Sequence, residues 1–333
     1  MASAAKQSWG FWTQSKLQIL EDYLGAFLTA CSGRAKGAVY LDAFAGEGAG
    51  RDRLTDSEFD GSARIAAAAT ASNGSGFCFN HLRFVELKTT RADEIRKEFH
   101  AAFPDRDIDV VPGDCNEQIP RLLAEMPEDL TWYPTFAFLD PFGIELHWDT
   151  INALAAHKRT RTYKVELFML FASPAIMRIA GLTEAKAVFD ADERLTRLFG
   201  CDDWRPIVDA RRSHRIGGDQ AREAFVNVMR WRLAHDLRYQ RTHVLEFKNS
   251  GGTPIYHMVF ATDNGAGDRI MAQLYDSAAN RNQDMAQDAI EQKTGVTRLF
   301  PASQVAPLRY RPTPPIEPSE YLDALLGSPT DTE

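Results

Sequence analysis

Long apolar runs are missing from this 333-residue chain. The most apolar stretch, Leu167 to Ala172, stops at Ser173-Pro174, far short of the roughly 20 residues that a bilayer crossing needs. Met1 to Lys16 holds no apolar stretch of signal-peptide length. Cysteine is scarce as well: Cys31, Cys78, Cys115 and Cys201 lie far apart with no C-x-x-C pair. That spacing excludes a zinc ribbon, an iron–sulfur cradle and a thioredoxin-type redox pair. Scattered thiols in a chain of this size point to a reduced, cytoplasmic setting. There is no Gly-Lys dipeptide for a P-loop, no G-x-S-x-G and no H-E-x-x-H, and the eight histidines show no ligand spacing. Positive charge is not in surplus: 38 Lys/Arg face 46 Asp/Glu, a net charge of -8, which excludes a globally basic nucleic-acid coat. The remainder is ordinary for a folded protein, with 44% hydrophobic and 25% charged residues and enough length for two domains or for one α/β domain with a large insert.

Leu17, Leu20, Leu24, Phe27 and Leu28 recur at helical spacing, with Thr13 or Ser15 placed to cap that helix and Gly33 and Gly37 to end it. Short apolar runs at 38–41, 82–87, 108–111, 135–139 and 165–171 then alternate with helix-length stretches at 92–103, 116–125 and 148–157. Such alternation predicts a parallel, doubly wound sheet. Two later β-rich runs, 242–247 and 254–262, flank a Gly-rich turn and read as a hairpin, which adds one antiparallel strand. Five parallel-type strands and a terminal hairpin resemble the Rossmann-like sheet of class I S-adenosylmethionine-dependent methyltransferases. The expected organisation is an N-terminal helical segment (1–36), a core (37–173 and 241–280), a helical insert (174–240) and a C-terminal extension (281–333) whose 301–318 stretch is proline-rich.

Charge is segregated within the insert. From Arg205 to Lys248 there are ten Lys/Arg and five Asp/Glu, a local surplus of five in an acidic chain. Arg211, Arg212 and Arg215 are the densest part of that stretch. They are candidates for phosphate contact, against the alternative of a solvated helical face.

The first strand runs into Leu41-Asp42-Ala43-Phe44-Ala45-Gly46-Glu47-Gly48-Ala49-Gly50, where glycines allow a tight turn and close approach to a ligand. The dinucleotide fingerprint G-x-G-x-x-G fails, because Arg51 stands where its third glycine belongs. The form F-x-G-x-G, made by Phe44, Gly46 and Gly48, resembles motif I of amino-directed nucleic-acid methyltransferases. Glu86 closes the second strand, where a carboxylate can accept hydrogen bonds from both ribose hydroxyls of a nucleoside cofactor. Asp114 closes the third, where such enzymes hold the adenine amino group. Each of these two acids could equally cap the following helix.

The fourth strand ends in Asp140-Pro141-Phe142-Gly143. Amino-methyltransferases carry (D/N/S)-P-P-(Y/F) here, and the variant with one proline and an early phenylalanine resembles the tRNA N2-guanine enzymes. Acceptors at Asp140 and the Pro141 carbonyl would hold the N–H groups of an sp² amine and raise lone-pair density at nitrogen, while Phe142 stacks on the base.

Taken together, Trp12 and Lys16 opening a helix, Asp42-Ala43-Phe44-Ala45-Gly46, Gly61-Ser62, Asp140-Pro141-Phe142-Gly143 and Tyr256-His257-Met258-Val259-Phe260-Ala261-Thr262 resemble the three-Cys-motif partner protein (TcmP) family. The resemblance runs from about residue 11 to about residue 277. It implies S-adenosyl-L-methionine as cofactor, held by Trp12, Lys16, Asp42, Phe44, Ala45, Gly46, Gly48, Glu86, Asp114 and Cys115. It implies no metal and places Arg178, in Met177-Arg178 where Asn-Arg is expected, near the substrate. It also implies a partner carrying a three-cysteine, radical-SAM-like motif that this chain lacks. The expected activity is methyl transfer to an exocyclic amine of a nucleobase. The alternative is a non-catalytic nucleoside- or nucleic-acid-binding partner of that other protein, and a dehydrogenase is third.

Overall fold

Phe136-Ala137-Phe138-Leu139 and Leu167-Phe168-Met169-Leu170-Phe171 are apolar at every position, the composition of strands covered on both faces. A computed structural model of the chain describes residues 8–9, 11–46, 49–52, 58–158, 163–181, 185–249, 251–295 and 300–327. It places these runs in a seven-stranded sheet built from β1 (Val39–Asp42), β2 (His81–Glu86), β3 (Asp107–Pro112), β4 (Thr135–Leu139), β5 (Glu166–Phe171), β6 (Arg241–Lys248) and β7 (Pro254–Thr262). The spatial order is β3-β2-β1-β4-β5-β7-β6. Neighbours from β3 to β5 pair in parallel, and β7 pairs antiparallel with both β5 and β6. The fold is therefore a Rossmann-like α/β sheet of the class I methyltransferase type, mostly parallel, with a terminal antiparallel hairpin. The strand order reverses between β1 and β4, the switch point where open α/β sheets form a crevice at their carboxyl ends.

Alternate side chains divide the core into two layers. Tyr40, Phe84, Phe136, Phe138 and Phe168 face α1 (Phe11–Cys31), α2 (Ser62–Ala68), α3 (Thr89–Ala102) and, from later in the chain, the long helix Gly265–Thr294. Leu41, Val85, Ala137, Leu139, Leu167 and Met169 face α4 (Cys115–Glu125), α5 (Trp148–His157) and the insert. The insert consists of α6 (Ser173–Ala180), α7 (Ala185–Phe199), α8 (Arg205–Arg212) and α9 (Gly218–His235). After the hairpin come α10 (Gly265–Thr294), the short α11 (Ala302–Val305) and α12 (Pro318–Gly327), which packs on α9. No helix among the described residues is long and apolar enough to cross a membrane.

Several local expectations change. The first helix begins at Phe11, so Thr13 and Ser15 lie inside it, buried, and neither caps it. The Gly-rich segment after β1 continues into a small sheet of Ser8–Trp9, Ala49–Asp52 and Glu58–Asp60, a set of short polar strands with no apolar run to announce it. The boundary expected at residue 280 falls inside α10, which is continuous from Gly265 to Thr294. The irregular stretch before α12 is tied back by Asn227, whose side chain donates to the Ile316 carbonyl at 2.7 Å and accepts from its N–H at 2.9 Å. The Tyr310 hydroxyl accepts from the Val244 N–H at 3.2 Å and lies 3.2 Å from His243 Nδ1, which occupies part of the exposed edge of β6.

Gly200 joins the insert to the core. It follows α7 in the left-handed region at φ +61°, and a Cβ there would run into the buried Trp148 ring. Trp148 has no room to yield, because the Arg232 guanidinium lies 3.8 Å from its ring centroid on α9. Gly200→Ala is expected to lower stability by about 2–4 kcal/mol, combining overpacking with the left-handed backbone cost. Urea denaturation should show this as a lower midpoint, and an unchanged midpoint would mean that the insert is not held by this contact.

Candidate functional site

Four strand ends meet at the switch point, and what each contributes follows from where its apolar run stops. The loop after β1 is tied to both neighbouring strands: the Ala43 N–H donates to the Phe138 carbonyl at 3.1 Å and the Ala45 N–H to the Val85 carbonyl at 2.9 Å. Gly46 then turns through φ +69°, a conformation that a side chain resists, and its N–H donates to Glu86 Oε2 at 3.1 Å. Glu86 Oε1 accepts from the Lys88 N–H at 3.0 Å. Each oxygen of this buried carboxylate thus takes one backbone donor and keeps further acceptor capacity. Beside it Leu87 is 70% exposed, a large apolar side chain on the lip of the crevice that sequence reading passed over as strand.

Asp42, expected among the cofactor residues, lies fully buried behind the loop. Its Oδ1 accepts from the Phe44 N–H at 3.0 Å, Oδ2 accepts from the Tyr40 hydroxyl at 3.2 Å, and the Ser62 hydroxyl adds a third bond. Asp42 therefore shapes the loop from within. Burial pushes its carboxyl up to about 6, the three donors opposing and nearby Asp140 adding to the rise. Phe44 and Ala45 are in the loop as expected, Phe44 packing on the α4–α5 layer. Gly48 and Glu47 lie outside the described residues.

Asp114 is exposed at the end of β3 and caps α4, accepting from the Asn116 N–H at 2.8 Å and its side-chain amide at 2.9 Å. The capping alternative is thus realised, with lone pairs to spare. Cys115 is buried, and its thiol is pushed up to about 12, first by burial and then by Asp114 and Glu145. It is a neutral packing group.

Asp140 meets α1 at the end of β4. Lys16 Nζ donates to Asp140 Oδ2 at 2.5 Å, with the two side chains 8% and 23% exposed. The same ammonium lies 5.7 Å from the centroid of the buried Tyr256 ring, and the Tyr256 hydroxyl donates to the Trp12 carbonyl at 2.7 Å. Trp12, Lys16, Asp140 and Tyr256 therefore form one cluster from three distant parts of the chain. Pro141 is buried and Phe142 is 72% exposed. The loop carrying Phe142 is braced by residues that sequence reading did not single out. Gly143 N–H donates to Glu145 Oε2 at 2.7 Å, and the Asn116 side chain donates to the Glu145 carbonyl at 2.8 Å while accepting from His147 N–H and Thr150 Oγ1, both at 2.8 Å. Only the short spacing from Gly143 to Glu145 hints at this brace in the sequence.

The insert's positive charge is largely absorbed. Arg205 pairs with Asp192 and Asp202, both at 2.8 Å, Arg232 with Asp236 at 2.6 Å, and Lys248 with Glu246 at 2.8 Å. Arg222 pairs with Asp219 at 2.7 Å, Arg241 with Asp268 at 3.6 Å, and Arg230 is buried against backbone carbonyls of Thr242 and Thr313. The three arginines expected to contact phosphate sit at the end of α8 and in the turn after it, Arg212 and Arg215 exposed and Arg211 half-buried. Arg212 Nε donates to the Ala180 carbonyl at 3.1 Å, which brings this group beside the end of α6 and the exposed Arg178. Among the described residues no group of three or more His, Cys, Asp or Glu could hold a metal ion.

No family model matches the sequence, and no curated protein does. Among solved structures, a Legionella pneumophila protein described by the family model DUF519 aligns over 79% of this chain and 91% of its own, with 12% identity and a TM-score of 0.46. An O-methyltransferase from Bacillus cereus in complex with SAH aligns over 75% and 80%, with 13% identity and a TM-score of 0.36. The methyltransferase domain of bacterial CtHen1 aligns over 73% and 99%, with 12% identity and a TM-score of 0.33. These likenesses are distant, and the fold assignment above rests on strand order and direction.

The raised carboxyl of Asp42 has a consequence for stability. Its folded-state value of about 6 lies above the ordinary 3.8, so the protonated group favours the folded state. That contribution is present below pH 3.8 and is lost as pH rises through about 6. Asp42→Asn should flatten the fall in unfolding free energy over that window by on the order of 2–3 kcal/mol, read from urea titrations at successive pH values. Equal slopes in variant and wild type would show that Asp42 stays ionised in the fold.

Proposed function

We propose that this chain is an S-adenosylmethionine-dependent methyltransferase acting on an exocyclic amine of a nucleobase in nucleic acid. The observation that carries the reading is the meeting, at the switch point, of Glu86, the Gly46 turn and the Asp140-Pro141-Phe142 loop, with Lys16 held against Asp140. When bound, the cofactor would supply an electrophilic methyl group on a sulfonium. The residues fit such a group: Glu86 has acceptor capacity left for ribose hydroxyls, Asp114 for an adenine amine, and Leu87 an apolar surface for a flat ring. Lys16 is the one cation buried at this edge among the described residues, and a carboxylate entering beside it would compete for the ammonium that Asp140 now holds.

Release of Lys16 leaves Asp140 Oδ2 an acceptor facing the crevice. Asp140 then accepts one N–H of the target amine and the Pro141 carbonyl the other, which orients the nitrogen lone pair and fixes its distance from the reacting carbon. The acceptors stabilise the positive charge that develops on nitrogen, and Asp140 is placed to take the surplus proton afterwards. Phe142, exposed on a braced loop, offers a face on which an unstacked base can lie. Arg178 with Arg211, Arg212 and Arg215 would contact the strand's phosphates. The resemblance to three-Cys-motif partner proteins extends this proposal to a second, iron–sulfur protein that delivers or selects the substrate.

Asp140→Ala is expected to leave S-adenosylhomocysteine affinity within a few-fold of wild type and to lower methyl transfer by ~10²-fold or more, with Asp140→Asn milder because its carbonyl still accepts one N–H. The assay uses a labelled methyl donor and total nucleic acid from cells lacking the gene. Glu86→Ala should instead weaken cofactor binding by at least ~1 kcal/mol in calorimetry. Equal labelling by wild type and Asp140→Ala would remove Asp140 from the mechanism. Tight cofactor binding with no labelling by either would favour the non-catalytic partner reading.

A further inference from the structure

The opposite edge of the sheet carries a cavity that the methyltransferase reading does not use. It holds about 680 Å³ between the end of α1, the 129–135 segment and the starts of β4 and β5. That is the range of small-molecule sites. Its cations are Arg34, Lys36, Lys158 and Lys164, against the acids Asp129 and Glu166. Lys164 is paired with Asp263 at 2.8 Å, and Glu166 accepts from the Tyr23 and Thr262 hydroxyls at 2.6 and 2.7 Å, while Lys158 acts on it as a nearby positive charge. Arg34, Lys36 and the buried Lys158 then face Asp129 and Glu166, a surplus of one positive charge at the cavity in a chain of net charge -8. Lys158 is fixed at the cavity wall by a 2.5 Å bond from Nζ to the Tyr133 carbonyl. At the end of α1 the Leu28 and Cys31 carbonyls already accept from the Ser32, Arg34 and Ala35 N–H groups. Two large rings stand in solvent on the same wall, Trp132 at 68% and Tyr163 at 52% exposure.

We infer that this amino-edge cavity is a second ligand site, taking a nucleoside phosphate whose base lies on Trp132 or Tyr163 and whose phosphate meets Arg34, Lys36 and Lys158. Cations beside exposed aromatic faces suit a ligand that is flat at one end and anionic at the other. The inference stands apart from the methyltransferase reading, because the two sites lie at opposite ends of the same strands.

The test is calorimetry on the full chain with AMP, adenosine, inorganic phosphate and a 5′-phosphorylated tetranucleotide, in the presence and absence of excess S-adenosylhomocysteine. AMP should bind with or without that excess, and adenosine and phosphate each at least about tenfold more weakly. Arg34→Gln with Lys36→Gln, and separately Trp132→Ala, should each weaken AMP about tenfold or more, while Glu86→Ala leaves it unchanged. These are exposed positions, and unfolding midpoints will confirm that the variants fold. A tetranucleotide that binds more tightly than AMP identifies a strand end as the source of the ligand, and one that binds more weakly identifies a free nucleotide. The inference is overturned by absence of AMP binding, by its loss with S-adenosylhomocysteine or Glu86→Ala, by adenosine binding as well as AMP, or by variants that bind AMP normally.

Discussion

A sheet covered on both faces leaves only its two ends for chemistry. β1, β4 and β5 are buried at every residue, so a polar group anywhere along them would need a partner inside the core. Charge is accordingly confined to the strand ends. Asp42 ends β1, Glu86 ends β2, Asp140 follows β4, and Glu166 begins β5, each with at least one oxygen bonded to a named donor. The crevice at the carboxyl edge and the cavity at the amino edge are both consequences of this packing. In each, groups that cannot be placed along the strands are gathered where the backbone turns out of the sheet.

The same constraint explains what was legible in the sequence. An apolar run that stops at an acid marks a strand end directly, so the strands, their order of type and the positions of Glu86 and Asp140 at strand ends could be read without coordinates. The Rossmann-like class and its antiparallel hairpin are borne out. The small sheet of Ser8–Trp9, Ala49–Asp52 and Glu58–Asp60 was illegible, because its strands are two to four residues long and carry no apolar run. The Lys16–Asp140 pair spans 124 residues and has no local signature beyond the resemblance that singled out both residues. Asp42 was placed rightly and given the wrong surroundings: sequence shows that a carboxylate ends the strand, and only packing shows that it points behind the loop, toward Tyr40 and Ser62.

Charge counting along the insert shows a further limit of linear reading. A surplus of five positive charges looks like a binding face, yet most of those side chains serve the fold. Arg232 stacks on Trp148 and bonds the Phe199 carbonyl, and Arg230 ties β6 to the C-terminal segment. Each is fixed by partners far away in sequence or one helical turn on, which a windowed count cannot subtract. Arg178, Arg211, Arg212 and Arg215 come together where α6 and α8 meet, at the carboxyl edge from which α6 departs.

α1 connects the two edges. Its 21 residues span roughly 30 Å, whereas a five-residue strand spans roughly 17 Å, so the helix overhangs the sheet at both ends. Near its start Lys16 reaches Asp140, in its middle the Tyr23 ring lies 5.5 Å from Phe136 and its hydroxyl bonds Glu166, and at its end Cys31 and then Arg34 enter the amino-edge cavity. The close approach of α10 locks this arrangement, since a Cβ at Gly267 would come within 2.7 Å of the Tyr23 hydroxyl and 2.8 Å of Glu166. Burial pushes the Glu166 carboxyl up to about 7, the cost of placing an acid at the middle of that contact. A helix held by a buried polar bond at its centre cannot slide by one turn without breaking that bond. The positions of Lys16 and Arg34 at opposite edges are thus set by one register, fixed between Tyr23 and Glu166.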